Sequence, residues 1–409
     1  MSRVGTSTAP IIVRGILGPG GERPILDGNG ATTRPQLVFY SQERGVIKIG
    51  GSTVPFADGL SVNPQHLVIE NLEIIGAREP NSFTASDGTI KTVTAPAAAI
   101  YLEFGDNITV RNCVIRGNGN GFFSFSSDTT TSSNVLVEYC YIYDNGNSGS
   151  NTHHNNYTES RGITFQFNRF GPMCSGCNGN GLKDRSAGLV IRYNWFEGAV
   201  NRTFDLVDAQ DSSLLRNDPN YHKAYVYGNV VVVDPLPGGN TDVVHFGGDT
   251  TGNGSSYRRG PLYFYNNTVV SNRTDKTRLF RLSTNNQSCD ARNNIAYTRL
   301  AAGSTLKVLD SFGTLTITQN WFKTGWAAYN VTRPKGIVIN NGTLNGSVPG
   351  FVNEAGGDYH LLGSPCINTG AALHPDVLPA FNVIMEYVKH QAGTTRAVNG
   401  PLDIGAYEY

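Results

Sequence analysis

The most regular feature of the chain is a short apolar segment that returns along most of its length. Segments such as "ENLEI", "YGNVV" and "TQNWF" combine β-branched or aromatic residues with one distinctive residue at the same place. The shared position is held by Leu72, Cys113, Cys140, Asn168, Asn194, Asn229, Asn267, Asn294 and Asn320. These segments lack the 3.6-residue spacing of an amphipathic helix, so the pattern predicts strands.

The spacing of the shared position indicates a solenoid of β-strands. Its steps are 41, 27, 28, 26, 35, 38, 27 and 26 residues, so one turn takes about 27 residues and the longer steps contain insertions. Strands of successive turns would stack in parallel about 4.8 Å apart and bring equivalent residues into ladders. The asparagines could then pass amide hydrogen bonds from turn to turn, and Cys113 and Cys140 should be core neighbours. The alternative is that Asn-Asn pairs simply mark turns.

We therefore predict an all-β parallel β-helix, a single domain with long loop insertions and a C-terminal cap. Its predicted parts are 1–60 (first coils), 61–340 (central coils) and 341–409 (last turns and cap), within one domain of 1–409. Polar loops are expected at 78–96, 210–222 and 234–258. The segment "DVLPAFNVIMEYVKH", from Asp376, is predicted to be a helix that covers an open end, where free strand edges would attract other chains.

The charge balance excludes partners that need a basic surface. The 409 residues include 32 basic and 32 acidic side chains, and the pI is about 7.1. Binding to nucleic acid or to a membrane surface requires a basic excess, so we expect neither partner. We also predict a monomer. No apolar run is long enough to span a membrane. The start, "MSRVGTSTAPIIVRG", lacks a signal-peptide core and reads like mid-domain sequence, so we expect a trimmed chain, which leaves secretion open.

Both ends of the chain, together with the ladder, carry a family resemblance. "PIIVRGILGPGGERPILDG" resembles the first turn, and "DYHLLGSPCINTGA" with "PLDIGAYEY" resembles the terminal motif, of bacterial right-handed parallel β-helix proteins of the pectate-lyase-like superfamily. The resemblance implies a right-handed coil and a secreted or periplasmic protein. This fold hosts lyases, hydrolases, epimerases and adhesins, so it does not by itself imply one activity.

Three strand segments before ladder positions each carry an acid. They read "YTES", "LKDR" and "LVDA", and alternation predicts that Tyr157, Leu182 and Leu206 point inward. The acids that would then share one column are Glu159, Asp184 and Asp208. Stacked carboxylates repel one another unless a cation compensates, and Ca²⁺ prefers such oxygen ligands. The alternative is pairing with neighbouring arginines, namely Arg161, Arg185 and Arg202.

The exposed face of the same coils gathers groups suited to an acidic sugar. Lys183 and Arg185 flank Asp184, and "NTHHNNYTE" precedes them with two histidines. Eliminative cleavage of a uronic-acid polysaccharide needs a cation on the carboxylate, a base for the C5 proton and an acid for the leaving oxygen. The predicted catalytic residues are Lys183, Arg185, His154 and Arg202. The predicted substrate-binding residues are His153, Tyr157, Arg161, Asp205 and His245.

One stretch is also similar to a branch of lyases. "KDRSAGLVIRYNWFEGAVNRTFDLVD" resembles the catalytic coil of β-helix alginate and chondroitin lyases, where a Lys precedes an "R-x-N-x-F" segment and an Arg follows on the next coil. The resemblance implies Lys183 as the base and Arg202 as the arginine. The prediction is a polysaccharide lyase acting on an acidic polysaccharide.

Other functions and cysteine states stay open at this stage. A glycoside hydrolase could use two acids one coil apart, such as Glu159 and Asp184, near the spacing of retaining enzymes. The "D-D" and "G-H" motifs of β-helix pectin hydrolases are absent from the sequence. A non-catalytic glycan-binding protein is a third reading. Cys174 and Cys177 form a "CSGC" motif, which indicates a local disulfide or half of a zinc site.

Overall fold

The computed structural model describes residues 1–51, 62–235, 240–249, 254–299 and 305–409. The chain forms two compact units. The first unit comprises 1–188 with 209–221, and the second comprises 189–208 with 222–409. No helix in the described ranges has the length and apolar character needed to cross a membrane. The single-domain organisation over 1–409 stays a prediction.

The first unit is built almost entirely from short strands. Its elements are β1 (Ile11–Arg14), β2 (Ile25–Asp27), a 3₁₀ turn (Gln42–Arg44), β3 (Gly45–Ile49), β4 (Gln65–Glu70), β5 (Glu73–Ile75), β6 (Ser82–Thr84), β7 (Ile90–Thr92), β8 (Ala98–Leu102), β9 (Asp106–Arg111), β10 (Val114–Ile115), β11 (Asn120–Ser124), β12 (Ser132–Glu138), β13 (Tyr141–Ile142), β14 (Asn156–Thr158), β15 (Ser160–Gln166), β16 (Arg169–Phe170), β17 (Leu182–Asp184) and the helix α1 (Ser213–Arg216).

The second unit has the same character. Its elements are β18 (Ala187–Arg192), which begins two residues before the unit, β19 (Trp195–Glu197), β20 (Phe204–Leu206), β21 (Ala224–Tyr227), β22 (Val230–Val233), β23 (Asp242–Phe246), β24 (Leu262–Tyr265), β25 (Thr268–Ser271), β26 (Lys276–Leu282), β27 (Ser288–Arg292), β28 (Ile295–Thr298), β29 (Thr305–Leu309), β30 (Thr314–Thr318), β31 (Asn320–Lys323), β32 (Ala327–Tyr329), β33 (Ile337–Asn340), β34 (Thr343–Gly346), β35 (Phe351–Asn353), β36 (Asp358–Leu361), a 3₁₀ turn (Pro375–Val377), β37 (Met385–Val388) and β38 (Ala392–Thr395).

Parallel sheets order the strands of each unit. In the first unit, sheet I runs β1-β4-β9-β12-β15, sheet II runs β2-β5-β10-β13-β16 and sheet III runs β3-β8-β11-β14-β17. In the second unit, sheet I runs β18-β21-β24-β27-β30-β33, sheet II runs β19-β22-β25-β28-β31-β34 and sheet III runs β20-β23-β26-β29-β32. Because the chain visits the three sheets in turn and pairs each strand with its equivalent one coil later, the fold is an all-β, right-handed parallel β-helix, as predicted.

The predicted ladder is present within each unit. In the second unit, side-chain amides donate to the next side-chain oxygen at 2.9–3.1 Å along Asn194, Asn229, Asn267, Asn294 and Asn320. In the first unit, the Cys140 N–H donates to Asn168 Oδ1 at 2.9 Å, and the Cys113 N–H donates to Cys140 Sγ at 3.4 Å. Cys113 and Cys140 are buried free thiols. A second, unpredicted ladder joins Asn118, Asn145 and Asn155 at 3.1 and 3.2 Å.

One predicted loop is wrong in part. Within the loop expected at 234–258, Asp242–Phe246 forms β23, while 236–239 and 250–253 lie outside the described residues. Residues 52–60 of the predicted first coils also lie outside them. The insertion at 78–96 contains the antiparallel hairpin of β6 and β7.

The C-terminal helix predicted from Asp376 is also wrong. Only Pro375–Val377 is helical, as one 3₁₀ turn, because Pro379 lacks an N–H and its ring disfavours helix continuation. The segment packs on the outer face of sheet I of the second unit rather than covering an open end. The rings of Phe381 and Tyr225 stack 3.8 Å apart, and the Tyr265 hydroxyl donates to the Phe381 carbonyl at 2.6 Å.

Candidate active site

The outward face of sheet III in the first unit carries a continuous row of aromatic and cationic side chains. Alternation along β3 and β8 points Ile49 and Leu102 into the core, where both are fully buried, and directs the residues before them outward. Paired strand by strand, the outward residues are Lys48, Tyr101, Phe123, Tyr157 and Lys183. We call these five residues the outward row.

The three rings of the outward row form a stack with a lysine at each end. The ring centroids of Tyr101 and Phe123 lie 4.6 Å apart, and those of Phe123 and Tyr157 lie 4.9 Å apart. The Lys48 ammonium lies 4.2 Å from the Tyr101 centroid. At the other end, Lys183 is the strand neighbour of Tyr157 and is 7% exposed. Strand pairing thus places Lys183 next to Tyr157 on the outward face of the sheet.

The Tyr157 hydroxyl is held between a cation and a carboxylate. Arg185 Nε donates to the hydroxyl at 2.8 Å, and the hydroxyl donates to Glu159 Oε1 at 3.3 Å. Arg185 and Glu159 also form an ion pair at 3.7 Å. The Ser126 N–H donates to the second Glu159 oxygen at 3.3 Å. These contacts fix the orientation of the Tyr157 hydroxyl.

Burial changes the titration of both oxygen acids in this cluster. Burial raises the pKa of Glu159 to about 7, against the lowering effect of the Arg185 guanidinium and with a further rise from Asp211. Burial also raises the pKa of Tyr157 well above its ordinary value, and the Glu159 carboxylate adds to that rise. Near neutral pH, Tyr157 is therefore a protonated donor and Glu159 gains or loses a proton readily. Such shifts are typical of acid–base sites.

The predicted column of acids is wrong in the first unit. Tyr157 pairs with Lys183 rather than with Leu182, and Thr158 pairs with Asp184. A slip of one residue reverses the faces, because strand side chains alternate with a period of two. The inner positions are polar here, since the Thr158 hydroxyl donates to Asp184 Oδ2 at 2.7 Å. The expectation that the most apolar residue points inward fails because Tyr157 belongs to the outer aromatic stack.

Glu159 and Asp184 consequently lie on opposite faces of sheet III and do not fit one calcium ion. Asp184 accepts hydrogen bonds from the Ser186 N–H at 2.9 Å and the Ser186 hydroxyl at 2.7 Å. In the second unit, Asp208 accepts a backbone N–H at 3.0 Å and the Ser256 hydroxyl at 2.7 Å. Across the described ranges, no group of three or more His, Cys, Asp and Glu residues could hold a metal. A calcium cofactor stays a prediction.

The insertion at 209–221 lies beside this cluster and contains α1. The Ser212 hydroxyl donates to the Ser127 carbonyl at 2.8 Å, which ties the loop to the turn after β11. Arg161 holds another part of the loop through an ion pair with Asp218 at 2.8 Å. Arg161 thus anchors a wall of the site, and its predicted contact with substrate stays a prediction.

The two predicted histidines differ in their surroundings. His154 is buried, its ring stacks on Tyr157 at 5.9 Å, and its Nδ1 accepts the Asn180 N–H at 2.9 Å. That acceptor role places the proton of a neutral ring on Nε2. His153 is half-buried and pairs with the Asn147 amide at 3.2 Å, and burial lowers its pKa. His154 therefore supports the tyrosine directly, whereas His153 contacts a neighbouring turn.

The remaining predicted residues meet in the second unit. His245 Nδ1 lies 2.8 Å from Asp205 Oδ1, and His245 Nε2 lies 3.0 Å from Ser283 Oγ. Arg202 pairs with Asp205 at 3.1 Å and with Asp242 at 3.7 Å. Arg202, Asp205 and His245 thus form one cluster in the second unit. Their predicted roles toward a substrate stay predictions.

Ser283 was missed by the sequence reasoning. The signal is visible only when the strands β20, β23 and β26 are aligned as "FDLV", "VHFG" and "FRLS". In that alignment Asp205, His245 and Arg281 share one outward position, and Ser283 follows two residues later. The insertions between these strands hide the alignment from a search by fixed spacing.

The cysteine motif is resolved in favour of the local bridge. Cys174 and Cys177 form a disulfide, and both are largely buried. The Cys174 N–H donates to the Asn145 carbonyl at 3.2 Å, which fixes the bridge to the neighbouring coil. The bridge thus braces the loop that leads into β17.

Comparison with known proteins gives a similarity to solved structures only. No family model matches the chain, and no curated protein sequence matches it. Among solved structures, the chain is similar to an alginate lyase from Paenibacillus sp. strain FPU-7, with 13% identity and a TM-score of 0.47. The match covers 76% of this chain and 85% of the lyase chain. At this identity and score, the similarity carries no argument about the reaction.

Proposed function

We propose that the protein is a polysaccharide lyase that cleaves an acidic, uronic-acid-containing polysaccharide by β-elimination at the Lys183 end of the outward row. The observation that carries the proposal is the pairing of Lys183 with Tyr157, whose hydroxyl is fixed by Arg185 and Glu159. A cation, a base and a proton donor, the three groups that elimination requires, are thereby present within one cluster.

Each residue has a distinct role in the proposed reaction. Arg185 pairs with the uronate carboxylate and stabilises the charge that develops when C5 loses its proton. The Lys183 side-chain nitrogen takes that proton. The C4–O bond breaks, the C4–C5 double bond forms, and the leaving oxygen takes the proton of the Tyr157 hydroxyl. Glu159 is a positioning residue that orients Tyr157 and Arg185. After the product leaves, the proton that Lys183 has taken returns to the Tyr157 oxygen through solvent, which restores both groups.

Retaining hydrolysis by the pair of acids considered above loses its structural basis. That reaction requires two carboxyl groups on one side of the sugar, about 5 Å apart. Glu159 points outward, whereas Asp184 points into the coil and accepts hydrogen bonds from Thr158 and Ser186. Elimination needs no second carboxylate and is therefore the function that this geometry favours.

The direct test is the ultraviolet absorbance of the new double bond. Alginate, pectate and chondroitin would be incubated with the wild-type protein, with Lys183→Ala and with Lys48→Ala. Lys48 is the matched control, because it ends the same row, is also 7% exposed and pairs with Glu103 rather than with Tyr157. We expect Lys183→Ala to lose activity by at least about 10²-fold and Lys48→Ala to retain it.

Other products would decide against the proposal. New reducing ends without ultraviolet absorbance would indicate hydrolysis, and binding without any product would indicate a glycan-binding protein. Equal activity of wild type and Lys183→Ala would remove Lys183 from the mechanism.

We further propose that the protein works outside the reducing cytoplasm. Disulfides persist in oxidising compartments, and Cys174 and Cys177 form one in the loop that leads to Lys183. An extracellular polymer as substrate is consistent with this location. The absence of an oligomeric partner stays a prediction.

A further inference from the structure

A second set of reactive side chains lies on the outward face of sheet III in the second unit. The strands β20, β23 and β26 are neighbours in that sheet. Asp205 pairs with His245, and His245 pairs with Arg281 on the next strand. Ser283 follows β26 directly, and its N–H donates to the Phe246 carbonyl at 3.1 Å. Four residues that are distant in sequence thus share one small region.

We propose that Ser283, His245 and Asp205 form a catalytic triad that hydrolyses an ester. His245 Nε2 lies 3.0 Å from Ser283 Oγ, and His245 Nδ1 lies 2.8 Å from Asp205 Oδ1. These are the two contacts that define a nucleophile, its base and the acid that orients the base. This proposal does not depend on the lyase proposal, because it uses different residues in a different unit.

The surroundings suit the base and its orienting acid. His245 is 2% exposed and Asp205 is 1% exposed, so both are shielded from water. Arg202 pairs with Asp205 at 3.1 Å, which adds a positive charge beside that carboxyl group. Burial lowers the pKa of His245, although Asp205 opposes that change, so the ring is neutral near pH 7. With Nδ1–H donated to Asp205, the Nε2 lone pair is free to accept the Ser283 proton.

Ser283 is placed by a turn that requires glycine. Gly247 has a φ of 132°, and a Cβ atom there would lie 2.7 Å from Ser283 Oγ. The Gly248 N–H donates to Ser283 Oγ at 2.9 Å, and the Gly248 carbonyl lies 2.9 Å from the same atom. The hydroxyl can therefore donate either to this carbonyl or to His245. Unlike its two partners, Ser283 is partly exposed, so a substrate can reach it.

Arg281 defines the chemical class of the ester. It is partly exposed, and no acidic side chain in the described ranges forms an ion pair with it. Its charge lies on the strand next to His245 and contributes to the electrostatics of that ring. A guanidinium there suits the negative charge that forms on the ester carbonyl oxygen or an anionic group beside it. The inferred substrate is a carboxylic ester that carries an anionic group near the acyl carbon.

The reaction balances with water as the co-reactant. Ser283 Oγ bonds to the acyl carbon while His245 Nε2 takes its proton. The ester C–O bond then breaks, and the alcohol leaves with that proton. Water, deprotonated by His245, attacks the acyl-serine, releases the carboxylic acid and returns the proton to Ser283.

The test uses a fluorophosphonate probe and p-nitrophenyl acetate on the full chain. The wild-type protein should be labelled on the peptide that contains Ser283, as located by mass spectrometry, and should hydrolyse p-nitrophenyl acetate. Ser283→Ala should lose labelling and lower the hydrolysis rate by at least about 10³-fold. Ser288 is a partly buried serine in β27, the next strand along the chain. Ser288→Ala should change neither the labelling nor the hydrolysis rate.

Two outcomes would overturn the triad. One is labelling of the wild type at a residue other than Ser283, or no labelling at all. The other is hydrolysis by Ser283→Ala at the wild-type rate, which would assign the hydroxyl to the Gly247–Gly248 turn alone. Because the labelled peptide is read from the wild-type protein, the test does not depend on the folding of a variant.

Discussion

The outward faces of sheet III carry different chemistry in the two units, although the strands that build them are alike. In the first unit, the stacked rings end at Tyr157, whose hydroxyl forms hydrogen bonds with Arg185 and Glu159. In the second unit, the equivalent strands carry a carboxylate, an imidazole and a hydroxyl in series. The coil therefore determines where outward side chains lie, and the residue types determine whether charges pair or protons pass between them.

The two faces share one physical property, which is burial of groups that can ionise. Burial raises the pKa of Glu159 to about 7 and lowers the pKa of His245, so each shift favours the neutral form. Neighbouring charges oppose both shifts, through Arg185 in the first unit and Asp205 in the second. Glu159 therefore titrates near neutral pH, whereas the His245 ring is neutral there. Solvated surface charges do not show such shifts.

The largest effect expected on the first face comes from removing one hydroxyl. Tyr157→Phe keeps the aromatic stack but removes the proposed proton donor, so uronate cleavage should fall by about 10²- to 10⁴-fold. The measurement is the initial rate of double-bond absorbance on the best polysaccharide. Tyr101→Phe is the control, because its ring is two places along the same row and its hydroxyl contacts Arg44. Equal losses in both variants would reduce Tyr157 to a structural member of the stack.

The ladder was predictable from sequence, whereas the register of sheet III was not. Asn229, Asn267 and Asn294 occupy one position in segments long enough to align. In contrast, β14 and β17 have three residues each, and their inner positions hold Thr158 and Asp184 rather than apolar residues. In so short a strand, polarity does not distinguish the faces, and a slip of one residue reverses them.

The candidate sites were predictable only in part, for a related reason. Lys183, Arg185 and Tyr157 are close in the sequence of adjacent coils, so a local search finds them together. Ser283 is separated from His245 by 38 residues and lies at the end of its strand. Serine is common at turns, so the sequence alone does not mark Ser283 as a candidate nucleophile. The strand pairing that brings it next to His245 is needed for that assignment.

The next effect is the pH dependence of the unfolding free energy that the buried Glu159 carboxyl causes. Glu159 has a folded-state pKa of about 7, above its unfolded value, so the folded protein binds more protons and loses stability as pH rises from about 4.5 to 7. Between pH 5 and 8, the wild type should lose about 2 to 3 kcal/mol more unfolding free energy than Glu159→Gln. Urea denaturation at several pH values measures this difference.

A control separates titration of Glu159 from general effects of pH. Ser126→Ala removes a neighbouring hydroxyl but keeps the N–H that donates to Glu159, so it should follow the wild-type pH dependence. Parallel curves for wild type and Glu159→Gln would contradict the assignment of the shift to this carboxyl.

The smallest effect concerns the loop beside the first face. Arg161 pairs with Asp218 at 2.8 Å, but its side chain is 48% exposed, so Arg161→Ala should change global stability by less than about 1 kcal/mol. Loop opening should increase nonetheless, because the ion pair joins β15 to the segment 209–221. Limited proteolysis should therefore cut this segment faster.

Arg111→Ala is the matched variant for the loop experiment. Arg111 is 46% exposed and pairs with Glu138 at 2.6 Å on the neighbouring strand of sheet I, away from the loop. It should leave cleavage of 209–221 unchanged. If Arg161→Ala also leaves cleavage unchanged, the loop is held by the Ser212 contact with Ser127, and the guanidinium of Arg161 would again be a candidate for binding a uronate.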